Sequence, residues 1–284
     1  MGAVAIFVGV MTLLVLALRR RRSRHRNAWI WIAGGGIAFP VVVLSALLAY
    51  STARSLPLQH PSAADLVIEV SGVQWWWEVR YRDAATGREI RSANEIRVPV
   101  GRSVMLGLTT ADVIHSFWVP ALGGKVDMVP GRVQHLRIQV KQPGVHRGVC
   151  AEFCGDQHAK MALHVVAVMP DEFDRWLAMQ AEPAIAPSGA AARHGQRLFT
   201  EHRCNACHAV RGLAEAQAIQ VAPDLTHVAS RLYIGAGELP VQAESFGRWV
   251  ADIQHIKPGA RMPGFDHLDQ DTLAALAAFL AGLK

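Results

Sequence analysis

The sequence predicts a multi-domain chain in three parts: a two-helix transmembrane hairpin, an all-β sandwich or barrel, and a small all-α domain. Three observations carry this. Two uncharged stretches flank an arginine run near the N-terminus, short β-branched segments fill the middle, and a helical pattern takes over from Ala192. At 284 residues the chain exceeds one ordinary domain of roughly 100–200 residues. Two modest domains and an anchor fit.

The uncharged stretches are Met1 to Leu18 and Ala28 to Tyr50, of 18 and 23 residues, against the ~20 apolar residues that cross a bilayer. Arg19, Arg20, Arg21, Arg22, Arg24 and Arg26 lie at and between their ends and account for the whole formal charge of +6. Basicity is therefore local, not the property of a nucleic-acid-binding face. Arginines in a short loop mark the cytoplasmic side, which puts both chain ends outside. A cleaved signal peptide would carry its positive charge before the apolar run; here it follows. Gly34 to Gly36 and Pro40 are tolerated in membrane helices.

After a short connection from Ser51 to Ala64, residues 65–170 read as β. Leu66 to Val70, Glu95 to Val100, Val133 to Val140 and Leu163 to Val168 are short and β-branched, broken by Thr86-Gly87 and Pro130-Gly131. Residues 171–191 read as a short helix and a linker. Asp171 is the expected cap, Phe173, Trp176 and Leu177 share a face, and Pro183, Pro187, Ser188 and Gly189 give linker composition. Residues 192–284 read as the helical domain, closing on an Ala/Leu-rich helix from Leu273 to Leu283.

All four cysteines follow the second stretch, on the outside face, where two disulfides would be the first expectation. Their neighbours point elsewhere. Cys150, Cys154, His158 and Met161 fall within twelve residues, with His115 on a strand-like stretch upstream. Thiolate, imidazole and thioether together suit copper, and two thiolates three residues apart can bridge two ions. A Cys150–Cys154 disulfide and a zinc site of two Cys and two His compete on the residues alone. Cys204-Asn-Ala-Cys207-His208 is the attachment signature of a c-type haem, in which the thiols form thioethers and the imidazole is an axial ligand. His227 and His255 are other candidate ligands by chemistry.

The string Cys150-Ala-Glu-Phe-Cys154-Gly-Asp-Gln-His158-Ala-Lys-Met161 is preceded by Asp112-Val-Ile-His115-Ser-Phe-Trp-Val-Pro120 and by Gly72-Val-Gln-Trp75-Trp-Trp-Glu. Together they resemble the cupredoxin domain of cytochrome c oxidase subunit II. The resemblance implies a dinuclear copper centre (CuA) bridged by Cys150 and Cys154, with His115 and His158 each binding one copper. Met161 and the Glu152 carbonyl would be weak ligands. The Glu152 side chain would reach a magnesium or manganese ion shared with subunit I. Trp75 matches the family's electron-entry position; its bland alternative is aromatic packing, since in a strand Trp75 and Trp77 would face one side and Trp76 the other.

The C-terminal part resembles a small class I cytochrome c, with Met262 in Gly259-Ala-Arg-Met262-Pro-Gly264 as distal ligand and Pro223 near His208. A His/Met pair raises the haem potential. A fused cytochrome matches the caa-type branch of the family. That implies a subunit of a proton-translocating oxidase in a bacterial cell membrane, with its C-terminal domains on the periplasmic or extracellular side. Subunits I and III would be partners, and the donor would be a soluble cytochrome c or a quinol-oxidising complex. Dioxygen reduction would belong to subunit I. A nitric oxide reductase subunit using the same copper module, and a free-standing anchored carrier, are the alternatives. The chain enters its first span almost at once, whereas relatives carry an outside segment before it.

Overall fold

The computed structural model describes residues 2–19, 28–59, 66–82, 87, 89–213 and 221–284. The predicted loop arginines from Arg20 to Arg26, together with Asp65 and Thr86, lie outside the described residues. Met1–Leu58 and Gln59–Lys284 are separate compact units.

In the N-terminal unit, α1 (Gly2–Arg19) is apolar all round, and Val4, Leu13 and Leu18 face outward. A helix with no polar stripe and no protein cover is suited to a lipid surround. The second apolar run forms α2 (Ala28–Ile30), a π-helical stretch Trp31–Ala38 containing Gly34 to Gly36, and α3 (Phe39–Gln59). Helix continues past Tyr50, so the predicted connection from Ser51 starts later. Charge-free length had set that boundary, and a lone Arg54 does not stop a helix. Among the described residues, Trp31–Arg54 (24 residues) is long and apolar enough to cross a membrane, and Val4–Arg19 falls shorter.

Alternation of side chains governs the middle of the chain. In β1 (Leu66–Val73) Ile68 and Val70 are buried while Val67 and Glu69 face out; in β2 (Trp76–Arg82) Trp77, Val79 and Tyr81 are buried. There follow β3 (Glu89–Ala93), β4 (Glu95–Pro99), β5 (Val104–Thr110), β6 (His115–Trp118), β7 (Val126–Met128), β8 (Gln134–Ile138), β9 (Gly144–Cys150) and β10 (Ala162–Val168). They make two five-stranded sheets, β3-β2-β1-β5-β8 and β4-β10-β9-β6-β7. β1 runs antiparallel to β2 and parallel to β5, as β10 does to β9 and β4. The inner faces share one core, with Trp77 edge-on to Phe117 at 5.8 Å between ring centroids.

Trp75 does not share a strand face with Trp77. It lies in the turn before β2, whose preceding residue, Gln74, donates its N–H to Asp112 Oδ2 at 2.8 Å. Trp77 is fully buried, whereas Trp75 and Trp76 are half-buried.

In α4 (Pro170–Ala181) the N-cap is Met169, not Asp171. Pro170 takes the first helical position, where its fixed φ suits it, and Asp171 lies in the first turn. Phe173 and Trp176 pack on Tyr81. The predicted linker is pinned: Ala184 donates its N–H to Arg211 O at 2.9 Å, and the Arg211 guanidinium donates to Gln180 O and Ala181 O.

The helical part comprises α5 (Ala190–Glu201), a small hairpin β11 (Tyr233–Ile234) and β12 (Leu239–Pro240), α6 (Ala243–Ile256) and α7 (Gln270–Ala281) around a second core. Gly195 lets α5 cross α7 closely; a Cβ there would stand 1.9 Å from Ala275 O. Asp269 caps α7, accepting from Thr272 N–H at 2.7 Å. The β11–β12 hairpin covers the outer face of β10. Tyr233 stacks on His164 at 4.5 Å and Ala162 donates its N–H to Ala236 O at 3.1 Å. That cover buries β10 on both faces, where a free sheet would show alternation.

Candidate functional site

Three strand ends bring the copper-type donors together. His115 opens β6, Cys150 ends β9, and the loop from Cys150 to Met161 returns to β10. His115 Nδ1 lies 3.8 Å from Cys150 Sγ, which is 3.7 Å from Cys154 Sγ; Cys154 Sγ lies 3.6 Å from His158 Nδ1 and 3.8 Å from Met161 Sδ. The Glu152 carbonyl is 3.2 Å from Cys150 Sγ. His115, Cys150 and Cys154 offer donor atoms all within 4.8 Å of one another. The sulfurs are too far apart for a disulfide, whose S–S bond is near 2.0 Å, and both thiols are free. The set fits a thiolate-bridged copper pair: two sulfurs in the middle, an imidazole on each side, and two weak donors at the flanks.

Asp112 orients the first imidazole and was missed in the sequence. Its Oδ1 lies 2.8 Å from His115 Nε2, which leaves Nδ1 to face the sulfurs. This is the carboxylate–histidine support typical of metal sites. An aspartate three residues before a candidate ligand was the available signal. Gly72 is required here too, since a Cβ at that position would sit 2.7 Å from the His115 ring. The Glu152 side chain is partly exposed, 3.9 Å from Lys125 Nζ.

The two thiols titrate as a unit. The hydrogen bond from Cys154 pulls the Cys150 thiol far below its ordinary range, against burial and with help from His115. The same bond, and then burial, pushes Cys154 up. Burial disfavours charge on His115, but its hydrogen bonds to Cys150 and Asp112 outweigh this and raise its pKa. Copper binding would therefore release the proton held between the two thiols and compete with protonation of His115, whose pKa is raised. Copper affinity is expected to strengthen as pH rises, by about tenfold per unit for each proton displaced. Chelator competition at several pH values measures this, and a flat profile would contradict it.

The haem motif faces a cleft. Cys204 opens a single 3-10 turn, Cys204–Ala206, after α5, with Cys207 exposed beside it. His208 donates Nδ1–H to Pro223 O at 2.7 Å, which frees Nε2 as an iron ligand. Burial pushes the His208 pKa down, favouring the neutral, ligating ring. The cleft, about 1230 Å³ including its open mouth, is lined by Cys204, His208, Phe199, Trp249 and Met262, with Arg231, Lys257 and Arg261 as cations. Its mainly apolar wall, two thiols at the motif and a single oriented imidazole fit a covalently held haem. His227 is engaged elsewhere, on Lys284 O and Glu182 O, and His255 pairs with Asp252.

The opposite wall of this cleft belongs to the β domain: Gln74, Trp75, Trp76 and Asn94. Trp75 reaches both sites. Its ring lines the cleft while its Nε1–H donates to Cys154 O at 2.9 Å, a bond duplicated by Gln74 Nε2 at the same distance.

The family model for the cytochrome c oxidase subunit II periplasmic domain matches residues 66–168, and that for cytochrome c matches residues 192–284. A cytochrome c oxidase subunit 2 of Alkalihalophilus pseudofirmus is 37% identical over 217 residues, covering 76% of this chain and 61% of the relative. One from Bacillus sp. PS3 is 34% identical over 228 residues, covering 77% and 62%. One from Bacillus subtilis is 31% identical over 262 residues, covering 86% and 72%. The chain thus spans about three-fifths of the length of the first two relatives.

Proposed function

The chain belongs to the cytochrome c oxidase subunit II family, in the form that carries a fused cytochrome c domain, and from that premise we propose that it feeds electrons from an outside donor to an oxygen-reducing subunit I. One observation carries this reading most directly: Trp75 forms a wall of the haem cleft and hydrogen-bonds the carbonyl of the copper-type ligand Cys154. When bound, the haem and the copper pair supply reversible one-electron chemistry. The chain's residues hold and space them. Cys204 and Cys207 would anchor the haem, with His208 and Met262 the residues that would ligate its iron, and the neutral ring of His208 is held by Pro223 O. Cys150 and Cys154 would hold the two coppers between them, His115 and His158 would each bind one, and Met161 and the Glu152 carbonyl would be weak ligands.

Two thiolates set between the ions would let the pair share one oxidising equivalent, the reversible one-electron chemistry that suits a carrier. Trp75 serves as the contact between the two sites. The Glu152 carboxylate, exposed and beside Lys125, takes a magnesium or manganese ion shared with subunit I. The proposed organisation is a hairpin within 1–50, with two spans and the arginine loop in the cytoplasm, a copper domain over 65–170, a helix and connection over 171–191, and a cytochrome domain over 192–284. The two globular domains then lie on the outer face of a bacterial membrane. Subunit I receives the electrons, subunit III completes the complex, and a soluble cytochrome c or quinol-oxidising complex is the donor.

The test is an electron paramagnetic resonance and optical spectrum of the full chain in detergent, loaded with copper and haem. A hyperfine pattern from one electron shared by two copper nuclei, beside low-spin His/Met haem bands, is expected. Haem bands with no such copper signal would reduce the protein to an anchored cytochrome.

A further inference from the structure

We infer that Lys257 is the positioning residue that seats the cytochrome domain on the copper domain and so sets the rate of electron passage between their two sites. This rests on the function proposed above. Lys257 is the C-cap of α6, five residues before Met262, and it lines the haem cleft. It is only 5% exposed, which is rare for a lysine. Its ammonium donates to Trp75 O at 2.7 Å, Lys160 O at 2.7 Å and Gly235 O at 3.3 Å. An ammonium has three donor hydrogens, and here each meets a carbonyl.

The identity of those carbonyls carries the inference. Trp75 is the residue shared by the cleft and the copper loop, and Lys160 directly precedes the weak-ligand candidate Met161. Gly235, from the β11–β12 hairpin, belongs to the cytochrome domain. One side chain thus ties the haem wall to two separate points beside the copper donors, across 182 and 97 residues of sequence. Further seams around it run the same way: Lys160 Nζ donates to Ile256 O, and Gln157 Nε2 to Pro258 O at 2.5 Å. Burial lowers the Lys257 pKa to about 8, and nearby Glu238 opposes the fall, so the ammonium is retained at neutral pH.

A hydrogen bond to a backbone carbonyl is directional, and three from one ammonium fix a point in space. Without them the cytochrome domain still has the Tyr233–His164 stack, the Ala162–Ala236 bond, the two seams just named, and bonds from Leu232 N–H to Glu95 and from Arg97 to Ser230 O, so it remains docked while the haem wall loses its tie to Trp75. Electron transfer falls off with the separation of donor and acceptor, so a displaced haem wall slows it.

The experiment uses the assembled oxidase with the Lys257→Met chain, which keeps the side chain's bulk and removes its donors. Haem is flash-reduced and electron arrival at the copper pair is followed optically. Haem midpoint potential, the copper paramagnetic spectrum and amide exchange at Ala162 are measured alongside. The expected result is transfer slowed several-fold, faster exchange at Ala162, and unchanged potential and copper spectrum. An unchanged transfer rate overturns the inference, as does a slowed rate accompanied by a shifted potential or altered copper spectrum, since Lys257 would then tune the centres. Lys257→Gln, read by the same criteria, serves if the Met variant fails to assemble. Absence of haem-to-copper transfer in the unmodified oxidase would instead sink the proposed function.

Discussion

Replacing Cys154 with serine is expected to stop oxygen consumption by the assembled oxidase while leaving haem attached and fully reducible by the donor. Cys154 Sγ is the central atom of the copper-type site, within 3.8 Å of Cys150, His158 and Met161, and is only 3% exposed. Serine is nearly isosteric, so packing is little disturbed, and the cost of a buried hydroxyl is about 1–3 kcal/mol even if it finds no partner. What would be lost is the soft, ionisable donor proposed to be shared by two coppers. A hydroxyl does not ionise at neutral pH, and a single remaining thiolate cannot close the bridge. The haem motif stands in a different core, built around Phe199 and Phe279, so its optical bands should persist. Copper per chain, the paramagnetic spectrum and oxygen uptake together decide the matter. Two coppers retained with normal uptake would remove Cys154 from the bridge.

The copper-type donor cluster was legible because most of its residues are local. Cys150, Cys154, His158 and Met161 share one loop, so their spacing alone brings them near each other. His115 is 35 residues upstream, and only the resemblance, not periodicity, attached it. Strands β1 and β10 were readable from β-branched runs. β5 was not, because nearly all of it is buried and alternation vanishes. β7 has three residues, too few for any pattern, and β9 carries two glycines and an arginine that argue against a strand. The cap of α4 was misplaced by one local rule overriding another: proline at the first helical position moved the boundary to Met169.

The junction between the domains was wholly hidden. Residues 181–191 have the composition of a linker, yet Arg211 grips the end of α4 and Ala184 is buried. Neither the full burial of β10 nor the placement of Lys257 on Trp75 O leaves a trace in sequence periodicity, because both arise from contacts between segments far apart in the sequence. Trp75 itself was singled out by resemblance, while its position in a turn, with one edge toward each site, came from the structure.

A Met262→His chain should show the opposite kinetic pattern from the Cys154→Ser chain. The loop bearing Met262 is fixed through its backbone: Gln254 Nε2 donates to Ala260 O at 2.9 Å and to Met262 O at 2.7 Å, and Gln254 Oε1 accepts from Gly259 N–H at 3.2 Å. A new side chain at this position is therefore still presented to the cleft that Met262 lines. Exchanging thioether for imidazole lowers the haem potential, by on the order of 0.1 V or more within the roughly 0.8 V that axial ligands span. The sign then fixes the kinetics. A lower potential makes electrons harder to accept from the outside donor and easier to give to the copper site. During turnover the haem should stand oxidised, whereas loss of Cys154 leaves it reduced. Oxygen uptake should fall with a high-potential donor and recover with a stronger reductant, which cannot happen when the copper site is broken. A potential titration and the steady-state haem spectrum under both donors read this out; an unchanged potential would make Met262 a core side chain and leave the sixth position to another residue.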